Sequence, residues 1–309
     1  MQILYTIVPI FAVVLLGWAV RKRGLLSSDF FRPANLLVYY LAIPALIFRS
    51  ISGASLDNNF HGDALFLTLA AVSASYGMAW LVCRVRHVPG ELAGTFIQSA
   101  GHGNLGYIGF AVAFYFLGDS GLVKASLIAG FLMILQNFLS VVALRSYAPK
   151  AYSGGIKTEG KGLIASIFGN PVIIAAMAGI TASLLHLPIP KILLRVLDIL
   201  SGMALPLALL LIGGSLSLEL VRKYLRLSMG AILIKLMVLP GLGLLLFRVF
   251  GVSPAEYLPG LILLAAPTAT VTYVLAREMH GAPEFAAASV SASTLLSAVT
   301  FSFWLMIAG

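Results

Sequence analysis

The feature that most limits the fold is the spacing of the charged residues. They stand in short clusters separated by charge-free apolar runs of about 20 residues or more. An α-helix needs about that length to cross a hydrocarbon core of roughly 30 Å. Backbone groups in lipid must be bonded within their own segment, so such runs predict helices and not strands. Only 10% of the 309 residues are charged and 60% are hydrophobic, which is too little polar surface for a soluble domain. The sequence predicts an all-α polytopic membrane protein.

The apolar runs predict ten membrane spans. The first has no basic residue before it, and Arg21-Lys22-Arg23 follow it directly, which is the reverse of a signal peptide. The predicted spans are roughly 2–20, 34–51, 64–83, 92–117, 122–144, 163–186, 192–216, 227–247, 257–276 and 285–308.

Lysine and arginine predict the orientation of these spans. With the N-terminus outside, fourteen of the twenty Lys and Arg residues fall on the cytoplasmic side, five fall on the outer side, and Lys235 lies inside a span. Both termini are therefore expected on the outer, periplasmic side. The formal net charge of +9 follows from this loop pattern, so nucleic acid is not an expected partner.

A short hydrophilic linker at 151–162 separates two halves of nearly equal size, 1–150 and 163–309. Five spans per half is an odd number, so the second half must enter the membrane from the opposite side. Similar elements recur in order, for example Ile43-Pro44 and Leu205-Pro206 in the second span of each half. This pattern predicts two inverted five-helix repeats.

The fourth span contains Gly101-His-Gly-Asn-Leu-Gly106-Tyr-Ile-Gly109. A glycine inside a helix costs about 1 kcal/mol relative to alanine, so this cluster predicts that the helix unwinds. Asn104 lies 12 residues beyond Leu92, roughly 18 Å into the membrane at 1.5 Å per residue.

The ninth span has a proline at a similar depth. Pro267 lacks an N–H group and clashes with the preceding turn, and it lies roughly 15 Å beyond Tyr257. Two broken helices at one depth would direct the partial positive charge of half-helix N-termini to a common centre, which suits a carboxylate. The alternative is that Pro267 makes an ordinary kink and the glycines permit close helix packing.

Lys235 is the one unambiguous charge in the middle of a span. Such a residue usually faces a cavity or a partner. It would either stand beside an anion path or bond to carbonyls freed by Pro240 or by a neighbouring break. His102 would be a proton carrier or a neutral hydrogen-bonding group, and Gln136-Asn137 would line a cavity or bridge helices.

The sequence lacks the residues that several kinds of function require. No Asp or Glu lies in the middle of a span, so a carboxylate relay for protons or sodium has no candidate. The sequence also lacks a metal-ligand cluster, a phosphate-binding loop and a nucleophile elbow. We therefore expect no enzyme activity, no cofactor and no metal. The favoured function is a secondary carrier of small organic anions. The alternatives are a sodium-coupled symporter and, less favoured, a membrane sensor or an intramembrane enzyme.

The motifs resemble those of the auxin efflux carrier family, and the likeness covers nearly the whole chain. It is carried by Arg21-Lys22-Arg23-Gly24-Leu25-Leu26, Ile43-Pro44, Gly103-Asn104-Leu105-Gly106-Tyr107-Ile108-Gly109, Gly169-Asn170-Pro171 and Ala266-Pro267 to Tyr273. The chain looks like a bacterial member, related to plant auxin exporters and to malate and malonate permeases. It lacks the proline of the plant motif at the first break and the long plant loop, which counts against auxin itself.

The resemblance implies a ten-helix fold in which broken helices four and nine cross, as in bile-acid symporters. It also implies scaffold and transport domains that each mix helices of both repeats, elevator-like movement, and carboxylated organic anions as substrates. The expected partners are this anion and the lipid bilayer of the inner membrane; a homodimer is compatible with the sequence. The residues expected at the substrate site are Gln98, His102, Gly103, Asn104, Gly106, Tyr107, Asn137, Lys235, Pro267, Thr268, Thr270 and Tyr273.

Overall fold

The computed structural model describes residues 1–54, 60–148 and 169–308. Throughout these residues the regular structure is helical, and the one β-type contact is an isolated bridge. The α-helices of the first part are α1 Gln2–Lys22, α2 Ser28–Leu37, α3 Ile43–Ser52, α4 Gly62–Val85, α5 Gly90–Gly101 and α6 Phe110–Tyr147. Those of the second part are α7 Pro171–Leu184, α8 Lys191–Gly202, α9 Ala204–Ser215, α10 Leu218–Leu233, α11 Leu239–Val249, α12 Pro254–Ala265, α13 Val271–Glu278 and α14 Pro283–Ala308.

The helices confirm that this is an α-helical membrane protein. In the described ranges, seven helical stretches are long and apolar enough to cross a membrane, and α7 and α12 are shorter apolar helices. The seven stretches are Gln2–Lys22, Asp29–Ser52, Gly62–Val85, Leu105–Tyr147, Lys191–Ser215, Leu218–Val249 and Pro283–Ala308. The count of ten spans and the inverted repeats stay predictions. The linker 151–162 and the first residues of the sixth predicted span lie outside the described residues.

One predicted boundary lies within α6. Spans four and five are predicted to be separated near residues 118–121, and the helical conformation of α6 is interrupted there, at Gly118. Gly118 has a φ of 73°, a left-handed conformation that glycine adopts without the steric cost of a Cβ. The chain therefore changes direction at a single residue and needs no longer loop.

Two π-helical turns stand directly before prolines. Val38–Ala42 precedes Ile43-Pro44, and Ile234–Val238 precedes Leu239-Pro240. Proline has no N–H and leaves the carbonyl four residues earlier without its helical donor. At Pro240 that carbonyl belongs to Leu236, and the indole Nε1 of Trp304 donates to it at 2.8 Å. A side chain of α14 thus replaces the bond that the proline removes.

The chain divides into two compact units, and each combines segments from both sequence halves. The first consists of Met1–His61, Gly106–Gly130 and Gly160–Ser215, and the second of Gly62–Leu105, Phe131–Glu159 and Leu216–Gly309.

In the first unit, small residues let α1 and α9 approach closely. A Cβ added to Gly17 would lie 2.1 Å from the carbonyl oxygen of Leu210, and one added to Gly213 would lie 1.8 Å from that of Val14. Such close backbone contact is typical of membrane helices, whose association depends on van der Waals packing. Arg21 then donates to the carbonyl of Gly214 in the last turn of α9, a favourable place for a cation.

In the second unit, α14 packs along α10 and also contacts α5, α12 and α13, while α4 packs against α5, α11 and α12. Its buried side chains include many serines and threonines, among them Thr68, Ser75, Ser99, Thr268 and Ser293. Since a buried hydroxyl must find a hydrogen-bond partner, this unit contains more polar order than its apolar composition suggests.

The close approach of α1 and α9 predicts that Gly213→Ala destabilises the protein, because the new methyl group overlaps the backbone of Val14. Overpacking of this kind costs about 1–3 kcal/mol. Gly77→Ala is the matched control, since nothing lies within 4 Å of its added Cβ and alanine favours a helix by about 1 kcal/mol. The unfolding temperature in detergent should be lower than that of the wild type for Gly213→Ala. For Gly77→Ala it should equal or exceed that of the wild type. Equal shifts would contradict the packing described here.

Candidate functional site

The first interruption follows α5. The helix ends at Gly101, His102 is extended with φ −85° and ψ 103°, and helical structure resumes in the π-helical turn Leu105–Gly109. Besides weakening the helix, glycine is required at 101, because an added Cβ would lie 2.1 Å from the ring of Tyr76. The predicted unwinding is therefore present.

The second interruption follows α12. This helix ends at Ala265, Ala266 is extended with φ −58° and ψ 139°, and α13 begins at Val271. An extended conformation is the one favoured by a residue that precedes a proline, here Pro267. The predicted break at Pro267 is thus a gap of five residues and not merely a kink.

The two interruptions lie in direct backbone contact. The amide of Asn104 donates to the carbonyl of Pro267 at 2.7 Å, and the amide of Ala269 donates to the carbonyl of His102 at 3.0 Å. Between these bonds, Gly103 and Thr268 oppose each other in an antiparallel bridge. All six residues are buried. Non-helical backbone at membrane depth is tolerated only where it is buried in protein or lines a cavity, and here each interruption bonds the other.

Hydrogen bonds to two neighbouring helices hold Thr268 in place. Its hydroxyl donates to the backbone carbonyl of Ser99 in α5 at 2.9 Å, and its amide donates to the hydroxyl of Ser293 in α14 at 3.1 Å. The sequence predicts Thr268 as a residue of the substrate site. Because Ser293 already accepts from this amide, Thr268 acts here as a structural anchor of the second interruption.

His102 begins a buried chain of hydrogen bonds. Its Nδ1 lies 2.9 Å from the hydroxyl of Ser140, which lies 2.8 Å from the hydroxyl of Tyr76. Tyr76 also donates to the carbonyl of Gln136, whose side-chain amide donates back to the carbonyl of Gly101 at 3.3 Å. The chain joins α4, α6 and the first interruption, so His102 is positioned by neutral groups on this side.

The side chain of Lys235 also lies beside the two interruptions. Its side chain is 0% exposed, and its ammonium donates to the carbonyl of Leu264 at 2.7 Å. Leu264 is in the last turn of α12, whose carbonyls lack helical partners. A Cβ on Gly103 would come within 3.3 Å of both Cε and Nζ of Lys235. The cation therefore touches both interruptions.

Gln98 is the most unusual buried polar residue of this region. It is 0% exposed, and neither atom of its side-chain amide has a hydrogen-bond partner among the described residues. Buried polar atoms in this state are rare and indicate an unmade bond to water, an ion or a ligand. Gln98 stands one turn before the first interruption, and its carbonyl accepts from the amide of His102.

The predicted site residues are only partly brought together. Gln98, His102, Gly103, Asn104, Pro267, Thr268 and Lys235 are buried in the second unit around the paired interruptions. Thr270 and Asn137 are half-buried in the same unit, and Tyr273 is 39% exposed. Gly106 and Tyr107 belong to the first unit, where the hydroxyl of Tyr107 donates to the side-chain oxygen of Asn35 at 3.1 Å.

Sequence reasoning missed four residues that support the interruptions: Tyr76, Ser99, Ser140 and Ser293. Single tyrosines and serines are common in membrane helices, and no spacing marks Tyr76 or Ser140. Ser293 stands in a serine-rich span that was interpreted as packing, and this repeat of serines is the one signal that was available.

Known proteins that resemble this chain are transporters. A family model described as "Membrane transport protein" matches residues 2–152 and 157–305. A Rhizobium meliloti protein named "Putative malonate transporter" is 26% identical over 301 residues, which cover 95% of this chain and 92% of that protein. An uncharacterized transporter of Escherichia coli K12 is 25% identical over 308 residues, covering 97% and 96% of the two chains. One from Methanothermobacter thermautotrophicus is 25% identical over 302 residues, with the same coverage.

The contacts of Thr268 predict that Ser293→Ala destabilises the protein. The variant leaves a buried amide without its acceptor, which costs about 1–3 kcal/mol. Ser302→Ala in the same helix is the control, because the Ser302 hydroxyl merely returns to the carbonyl of Ala298, one turn earlier. That change should stay within about 0.5 kcal/mol. Thermal unfolding of both purified variants measures the difference, and a Ser293→Ala protein as stable as wild type would refute this role.

Proposed function

This chain belongs to the membrane transport protein family, the auxin efflux carriers, and we propose that it is a secondary carrier of small organic carboxylates. It is a membrane transporter and not an enzyme. The proposal concerns the substrate, the site and the movement. It rests on one observation: two interrupted helices are bonded to each other inside the protein and carry a buried cation beside them.

The charge of this region favours an anionic substrate. Lys235 brings a positive charge, and the helical segments that start at Leu105 and Val271 add the partial positive charge of helix N-termini. The name of the Rhizobium meliloti relative refers to malonate, a small dicarboxylate, which agrees with this electrostatic argument. We propose malonate-like acids as the substrate class, with auxin-like acids as a wider set.

In the proposed site, Asn104 binds the carboxylate together with the backbone near Gly103. Gln98 provides an amide whose two polar atoms have no partner among the described residues. Lys235 supplies the counter-charge, while Pro267 and Thr268 keep the second interruption open. The remaining residues, which shape the pocket, are His102, Asn137, Thr270 and Tyr273.

Alternating access by an elevator-like movement is the proposed mechanism. Two findings support it. The chain divides into two compact units, and the residues of both interruptions from Gln98 to Leu105 and from Pro267 to Tyr273 belong to one of them. In this mechanism that unit carries the substrate, and helices four and nine of a ten-helix inverted repeat cross at the two interruptions. The carrier would lie in the inner membrane with both termini outside, as the distribution of lysine and arginine predicts.

The decisive test of the site is Asn104→Ala in proteoliposomes loaded for malonate flux. Transport should be lost while the protein still folds, because the substrate loses the side-chain amide that would bind its carboxylate. Asn170→Ala is the control: the Asn170 side chain caps α7 by accepting from the amide of Val172, and losing such a cap costs about 1 kcal/mol. That variant should lose stability but retain transport. Normal flux through Asn104→Ala would reject the proposed site. Replacing sodium by potassium in the same assay tests the sodium-coupled alternative, which requires flux to fall.

A further inference from the structure

If the chain is the carboxylate carrier proposed above, we infer that its site accepts a substrate with one negative charge, and that Lys235 sets this limit. A monocarboxylate would bind as its anion. A dicarboxylic acid such as malonic acid would bind as the singly protonated form and not as the dianion. The inference names the charge class of the substrate and therefore rests on the proposed function.

The first step is the isolation of Lys235 within the protein. Its side chain is fully buried, and its bonding partner is the uncharged carbonyl of Leu264. A carbonyl accepts a hydrogen bond but does not neutralise a charge. A charged lysine at membrane depth is unfavourable without a partner of opposite charge, so a charged Lys235 calls for an anion that the described part of the protein does not provide.

The second step is the distribution of acidic residues around it. The π-helical turn of Lys235 is in contact with α4, α5, α10, α11, α12 and α14. Every carboxylate on these elements stands in the first turn of its helix, and none forms an ion pair with Lys235 in the described part of the chain. These carboxylates are Asp63, Glu91, Glu219, Glu256 and Glu284.

The buried titratable groups nearby cannot neutralise Lys235 either, because each is engaged as a neutral hydrogen-bonding group. Tyr76 donates to Gln136, Cys83 to Ala93 and Tyr257 to Ala308, while His102 is bonded to Ser140. The exposed cations on the packed helices, Arg84, Arg222, Lys223, Arg226 and Arg248, add positive charge only. The site thus contains one buried group that can carry a positive charge, the amine of Lys235, and no buried carboxylate among the described residues.

The third step is the position of the ammonium. It lies beside Gly103, between the two interruptions, so that a Cβ at 103 would come within 3.3 Å of Nζ. A carboxylate that binds at these interruptions would pair with Lys235 and leave the site neutral. A second ionised carboxylate would add a buried charge without a counter-charge, and such a charge costs several kcal/mol. The loaded site is therefore neutral when the substrate carries a single charge.

A purely structural role gives a different expectation. Lys235 also completes the end of α12, since cations favour helix C-termini. If this were its whole role, its removal would lower stability and leave the preference between singly and doubly charged substrates unchanged. Charge selectivity is therefore the property to measure.

The test compares two ligands, malonate and monomethyl malonate, whose ester keeps it a monoanion. The affinity of the wild-type protein for each ligand is measured by competition binding. The measurements are made at a series of pH values that begins at the second pKa of malonic acid and goes upward. Any titration within the protein affects both ligands and cancels in the ratio of their affinities. We expect the affinity for malonate relative to the monoester to fall about tenfold for each pH unit above that ionisation. A ratio that stays flat with pH, while both ligands bind, would overturn the inference.

Three variants then test whether Lys235 is responsible. Lys235→Arg keeps the charge and should keep the pH-dependent ratio. Lys235→Met should weaken both ligands and flatten the ratio; a Met variant that keeps the wild-type slope would exclude Lys235 as the cause. Lys223→Met is the matched control, because Lys223 is exposed and paired with Glu284, and it should behave as wild type. The wild-type ratio decides the charge class even if the Met variant does not fold.

The outcomes separate the two proposals. If malonate is bound and transported but its affinity relative to the monoester does not change with pH, the proposed carboxylate carrier stands and the single-charge limit is wrong. Wild-type protein that neither binds nor transports either acid removes the proposed function itself.

Discussion

The rest of the candidate site depends on the backbone pairing between His102–Asn104 and Pro267–Ala269. A helix that opens inside a membrane protein exposes amide and carbonyl groups that have no water to bond, and each such group costs several kcal/mol. Here two opened segments supply each other with partners across an antiparallel bridge. Each interruption therefore provides hydrogen-bond partners that the other would lack if it opened alone.

Other backbone groups in and beside the two interruptions form hydrogen bonds with side chains. Ser293 accepts from the amide of Thr268, Thr268 reaches the carbonyl of Ser99, and Lys235 reaches the carbonyl of Leu264. The region is therefore only partly satisfied: the amide of Gln98, the hydroxyl of Ser99 and the side-chain oxygen of Gln136 have no hydrogen-bond partner among the described residues. Bonds that hold the site can thus be told apart from the polar groups that those bonds leave over. The amine of Lys235 has both roles in the proposed function, since it secures α12 and also lies where a carboxylate would bind.

Proline shapes the protein by the same rule at two places. Pro267 ends α12 and its freed neighbours bond the other interruption, whereas Pro240 leaves a helix that continues, because Trp304 bonds the carbonyl of Leu236. Both prolines look alike in the sequence, each within an apolar run. What differs is the tertiary contact beside each proline: Trp304 for Pro240 and the segment His102–Asn104 for Pro267, both far away in the chain.

The sequence by itself determined that the chain is helical, that it resides in a membrane, where two spans open and which single charge lies deep. These follow from local physics: the length of apolar runs, the free-energy penalty of glycine and proline within a helix, and the unfavourable free energy of burying a lysine. The sequence also placed a boundary at 118–121, where Gly118 adopts a left-handed conformation. Tertiary structure alone decided that the opened segments bond each other and that Ser140 and Tyr76 position His102. It also decided that Gly106 and Tyr107 fall in a different unit from Asn104. These are contacts between residues far apart in sequence, and they depend on which helices pack together, which local propensity does not specify.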